Sequence, residues 1–96
     1  MLKIKEKDLE ELIYITDREI EKLKKIFKLQ EDLKDLEVFD LINSYFKDLL
    51  YFYEKKDYIK AFELVNYIWG FLDILANLGL IKPREEFKKW FKIKQD

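Results

Sequence analysis

The chain has 96 residues, 49% hydrophobic and 41% charged, and its 19 basic and 20 acidic side chains leave a net charge of −1. That balance fits one globular domain with a densely charged surface, and it gives no general pull towards nucleic acid or an anionic membrane. The absence of cysteine and histidine excludes disulfide frameworks, thiolate and imidazole zinc sites, cysteine nucleophiles and every histidine-dependent triad. It also fits a cytoplasmic protein, and Met1 to Lys5 offer no apolar stretch of the kind that opens a signal peptide.

Only Gly70, Gly79 and Pro83 punctuate the sequence, and strand-like alternation is absent. The expected fold is therefore all-α: a three-helix up-and-down bundle with a short fourth C-terminal helix, a single domain over residues 1–96. A first helix is expected over about residues 6–28, where Leu9, Leu12, Ile13, Thr16, Ile20, Leu23 and Phe27 recur at helical spacing. The polar stretch 29–35 reads as a short connection to an antiparallel neighbour, with Asp32 or Asp35 as the next cap. The second helix, about 36–55, turns Phe39, Ile42, Tyr45, Phe46, Leu49, Phe52 and Tyr53 to the core, with Asp48 at the boundary.

The third helix, about 58–78, is the hub. Asp57 is placed to cap its start and Gly79 to end it in a left-handed conformation. Glu63, Asn66, Gly70, Asp73 and Asn77 fall within roughly 80° of one another on its surface. Almost all the rest is apolar. Phe62, Val65, Trp69, Leu72 and Ala76 form one arc, and Leu64, Tyr67, Phe71, Ile74 and Leu78 another. Together they span about twice the ~100° stripe of an ordinary surface helix, so cover from at least two directions is expected. Glu63 and Asp73 argue against a membrane span. The fourth helix, about 83–93, would begin at Pro83 and carry Phe87, Trp90 and Phe91 along one edge. Residues 82–96 hold six basic and three acidic groups, a net +3, whereas residues 29–81 hold five and ten, a net −5.

The sharpest candidate site is the polar stripe of the hub: Asn66, Gly70, Asp73 and Asn77, with Asp48 from the neighbouring helix. A glycine inside a helix costs about 1 kcal/mol relative to alanine, which asks for a reason. In the functional reading Gly70 admits a ligand or partner backbone between Asn66 and Asp73. In the structural reading, which is the favoured one, helices pack closely at Gly70, and Asp73 pairs with a lysine or caps a neighbouring helix. Across an antiparallel hairpin Asp40 would lie level with Asp73 and Asp48 near Asn66, and facing carboxylates of that kind can bind a hard cation, but the Glu-x-x-His pairs of bundle metal centres are missing. No metal, cofactor or catalytic residue is assigned. Eight Phe, six Tyr and two Trp at helical spacing read as core; base stacking would need them beside a basic groove, so nucleic acid is not expected. Trp69, Phe71, Phe87, Trp90 and Phe91 are the candidate interface, because this much apolar surface exceeds what one small bundle buries. The expected function is a protein–protein interaction module, forming a homodimer or meeting another protein, rather than an enzyme. The alternative is a small-ligand-binding or enzymatic bundle that uses the polar stripe.

Tyr45, Asp48, Phe52, Lys56, Asp57, Tyr58, Ala61, Tyr67, Gly70, Leu72, Asp73, Leu78 and Gly79 follow the motif of the largely archaeal domain-of-unknown-function family 357. The chain resembles that family over roughly residues 8–81 and most specifically over about 45–80. It departs where the family often has an alanine–histidine pair before the glycine; Ile68 and Trp69 stand there instead, which removes any role a histidine plays. The resemblance implies an up-and-down helical bundle in an intracellular protein, and it implies no activity.

Overall fold

The computed structural model of the chain describes residues 5–94. Helix α1 (Glu6–Leu29) is a long amphipathic rod that buries Thr16, Ile20, Leu23 and Ile26. Buried Thr16 donates its hydroxyl to the Leu12 carbonyl at 2.7 Å, so its own polar atom is not left orphaned in the core. The rod stops at Gln30, whose backbone leaves the helical region (φ −86, ψ 87). One further turn follows, α2 (Glu31–Lys34), inside the stretch expected to be a plain connection. Asp32 does not cap α3 (Phe39–Glu54); that helix starts at Val38 without a side-chain cap. It buries Ile42, Phe46 and Leu49, and Phe27 of α1 meets Phe46 edge-on at 4.9 Å.

Helix α4 (Tyr58–Asn77) is the hub, packed against both α3 and α1. Asp57 caps it by accepting the Lys60 N–H at 3.3 Å. Its end is a Schellman turn: Gly79 sits at φ +76, the Leu80 N–H reaches the Leu75 carbonyl at 2.9 Å, and the Gly79 N–H reaches that of Ala76 at 3.1 Å. Only a residue without Cβ enters that region freely. Lys56 holds the matching position after α3 at φ 64, with the same pair of bonds, from Asp57 to Phe52 and from Lys56 to Tyr53. The fold is all-α, as its periodicity requires.

The chain beyond α4 differs from a simple fourth α-helix. Residues Glu85–Trp90 form a 3-10 helix flanked by extended backbone at Arg84 (ψ 152) and Phe91 (ψ 144). Pro83 precedes it by two residues and is buried, so it anchors the segment rather than opening a helix. Phe87 and Phe91 are 2% and 7% exposed. They belong to this chain's own core, not to a free interface. Phe87 stacks on Trp90 at 5.2 Å, and Phe91 meets Trp69 edge-on at 5.5 Å. Lys22 of α1 lies over the Trp90 ring at 5.5 Å and pairs with Glu19 at 2.9 Å. The segment therefore folds back along the channel between α1 and α4.

Candidate functional site

Asn66, Gly70 and Asp73 share one wall of a cleft of about 300 Å³, with Trp69 beside them and Glu19, Trp90 and Lys92 opposite. The close helix packing expected at Gly70 is not found. A Cβ built there meets nothing within 4 Å, because the third wall is the thin C-terminal segment and not another helix. Gly70 thus weakens α4 with no packing gain. Gly70→Ala is expected to stabilise the fold by about 1 kcal/mol, read as a rise of roughly 4–8 °C in thermal midpoint. An unchanged or lower midpoint would mean that the space above Gly70 is needed. The Trp69 indole N–H beside the cleft is buried and finds no acceptor among the described residues.

Asp73 and Asn77 do something their spacing alone does not disclose. The Lys92 N–H donates to Asp73 Oδ1 at 3.0 Å. Asn77 donates through Nδ2 to the Lys92 carbonyl at 2.8 Å and accepts the Lys94 N–H on Oδ1 at 2.7 Å. A second pair repeats this arrangement at the other end of the segment. The Lys82 N–H donates to Asp32 Oδ2 at 2.8 Å. Gln30 donates through Nε2 to the Lys82 carbonyl at 2.8 Å and accepts the Arg84 N–H on Oε1 at 3.1 Å. In both, a carboxylate takes the N–H of one residue, and an amide side chain takes that residue's carbonyl and the N–H two positions on. Those three groups lie along one edge of an extended chain, the edge a neighbouring β-strand would pair with. Two amide–carboxylate clamps thus hold the tail by its backbone.

Gln30 was not among the candidate residues, although it is 3% exposed. The signal was present: it continues the Leu23, Phe27 period onto the core face, and a buried amide there needs partners. Asp48, by contrast, is exposed on α3 and lines none of the cleft. Among the described residues no three carboxylates gather as metal ligands would. Away from the stripe, the Tyr53 hydroxyl donates to Asp17 Oδ1 at 3.2 Å. Partial burial and then the Asp17 charge raise its pKa above the usual phenol value. The exposed Glu86 carboxyl is lowered, chiefly by its hydrogen bond from Arg84.

The other feature of α4 is apolar and open. Cover from two directions was expected and is found: α1 and α3 close over Ala61, Val65, Ile68, Leu72 and Leu75. Much of the second arc stays in water, with Tyr67 63%, Ile74 60% and Leu78 68% exposed, while Leu64 and Phe71 are partly buried against the core. From α3, only Tyr45 reaches across it, stacking near Tyr67 at 6.2 Å and Phe71 at 5.9 Å. Leu64, Tyr67, Phe71, Ile74 and Leu78 follow one another at alternating intervals of three and four, the spacing of a coiled-coil seam. Beside it a shallow notch of about 270 Å³ opens between Tyr67, Phe71 and Ile74, where Gly70 has no side chain. Between Leu64 and Leu78 the one charged residue is Asp73, and its carboxylate is turned to the tail.

No helix among the described residues is long and apolar enough to cross a membrane. No curated protein and no solved structure matches the chain. The family model described as "Protein of unknown function (DUF357)" matches residues 13–81, a span that runs through α1, α3 and α4 to the turn that ends the hub. The helical core carrying both the polar stripe and the apolar seam is therefore a family unit, and the chain belongs to that family of unknown function.

Proposed function

We propose that the chain is a non-enzymatic, intracellular interaction module that pairs with a second copy of itself through the open face of α4. The observation that carries this reading is the exposure of Tyr67, Ile74 and Leu78 along the seam, with Leu41, one helical turn before Tyr45 on α3, 47% exposed as well. Taking ~200 Å² for a fully exposed large side chain, these residues present roughly 500 Å² of nearly uncharged surface, near the upper end for a monomer. Buried on both copies, it comes to about the 1,000 Å² lower bound of a specific interface. The face is also self-complementary in kind. Tyr67 projects next to a notch, so a two-fold pairing sets each tyrosine against its partner's notch, as isologous contacts require. Depletion of charge with enrichment of aromatics is the composition of an interface centre.

Light scattering on a sizing column tests the reading. The wild-type chain is expected at twice 11.9 kDa. Ile74→Lys, a change on an exposed position, should keep the helical circular dichroism and weaken pairing by roughly 30-fold or more. A wild-type monomer at high concentration would count against it.

A second reading, a small-ligand site in the cleft over Gly70, has one observation of its own, the unpaired Trp69 N–H. A ligand oxygen accepting that proton would change Trp69 emission on binding; a small-molecule panel that leaves the emission unmoved would remove this reading.

A further inference from the structure

We infer that the channel between α1 and α4 is a binding site for a peptide that is extended at both ends with a 3-10 helix between them, that the chain's own residues 82–94 are the occupant seen, and that the same segment of a second copy can take its place. Both clamps address main-chain groups: Gln30 and Asp32 hold Lys82 and Arg84, and Asp73 and Asn77 hold Lys92 and Lys94. They ask for an extended backbone and for no particular side chain at those positions. Specificity comes from what lies between, where Pro83, Phe87 and Phe91 are buried and Trp90 is stacked against Phe87. Side-chain bonds to the backbone at both ends hold the segment, and the buried apolar anchors between them select its sequence, the same division between main-chain affinity and side-chain specificity used in other modes of peptide recognition.

The segment is also joined to the body in a way that lets it leave. The connection turns on Gly79 at φ +76, and the residues on either side of it, Leu78 and Leu80, are 68% and 52% exposed. Straightening that turn breaks the capping bonds to Leu75 and Ala76, and release of the segment uncovers the sites of Ile81, Pro83, Phe87 and Phe91, which the same segment of a second copy would cover again. The family match ends at residue 81, so the clamp residues Gln30, Asp32, Asp73 and Asn77 lie in the shared unit and the occupant lies outside it. The channel is on the α1 side of α4, whereas the apolar seam lies on the α3 side, so exchange of tails does not depend on seam pairing. A tethered tail acts at an effective concentration in the millimolar range, so in the wild-type chain the cis arrangement dominates at low protein concentration.

The test mixes two full-length chains, both carrying Ile74→Lys to remove seam pairing. One has a damaged channel and an intact tail (Asp73→Ala with Asn77→Ala). The other has an intact channel and a weakened tail (Phe91→Ala). Each alone is expected at monomer mass. The 1:1 mixture should double in mass, because the intact tail of the first docks in the intact channel of the second. A mixture that stays monomeric, whether its chains fold alone or remain unfolded together, would overturn the proposal. Hydrogen exchange on the Ile74→Lys chain supplies a second readout that no folding failure can blur. The amides of Lys82, Arg84, Lys92 and Lys94 should exchange together and at least 10-fold faster than that of Ile68, reporting release of the tail without global unfolding. Exchange of all four at the Ile68 rate would show that the tail leaves only when the whole chain unfolds, and would sink the idea.

Discussion

Phe87→Ala is expected to remove about 3–5 kcal/mol of folding stability, the usual cost of truncating a buried aromatic. The whole domain has on the order of 5–15 kcal/mol to lose, so this one truncation removes a large share of its stability. The reason is positional. Phe87 is 2% exposed although it sits in a short 3-10 helix near the C-terminus, so it fills the core from a segment with little helical stability of its own. Its loss leaves a cavity beside Trp90 and also loosens the tail that both clamps hold. Urea unfolding followed by far-ultraviolet circular dichroism measures it. A loss below about 1 kcal/mol, the range of surface changes, would mean that the tail does not belong to the core.

Gln30→Ala is expected to cost roughly 2–4 kcal/mol. Three hydrogen bonds go at once, to Asp32 at 2.7 Å, to the Lys82 carbonyl at 2.8 Å and from the Arg84 N–H at 3.1 Å. Each is worth about 1 kcal/mol net, and partners left unpaired in a part-buried site add to this. Gln30→Glu separates lost bonding from lost volume. It keeps the size but turns an oxygen towards the Lys82 carbonyl and the Asp32 carboxylate where a donor stood. Burial and the Asp32 charge both raise the pKa of the new carboxyl in the folded state. The folded form then binds the proton more tightly than the unfolded chain does, so the deficit relative to wild type should shrink as pH falls below neutral. A deficit that does not change with pH would mean that residue 30 acts by filling space alone.

These two positions also mark where sequence reasoning succeeds and where it stops. Within one helix, spacing alone decides which residues share a face. That is why Asp57, Gly79 and the stripe from Asn66 to Asn77 were legible before any coordinates. What stands opposite a face is not local. Gly70 was expected to meet a helix and instead opens on a cleft, because the neighbour is a tail whose path is set at Gln30, more than 50 residues earlier in the chain. The clamps leave little trace in sequence, since their targets are backbone groups that every residue carries. The tail was read as an α-helix because Phe87, Trp90 and Phe91 have helical spacing; burying Pro83 and Phe91 on one channel instead required extended backbone at both ends.

Taken together, the hydrogen-bonding groups of Asp73 and Asn77 are engaged with the chain's own backbone, while Tyr67, Ile74 and Leu78 of the apolar seam of α4 stay more than half exposed. That division is the basis for assigning self-association to the seam. Isotope-filtered nuclear Overhauser measurements on a 1:1 mixture of labelled and unlabelled wild-type chains test it most directly. The account predicts contacts from the Ile74 and Leu78 methyl groups of one copy to the Tyr67 or Phe71 ring of the other. A sample with no intermolecular contact at the seam, or with contacts only at the tail, would contradict it.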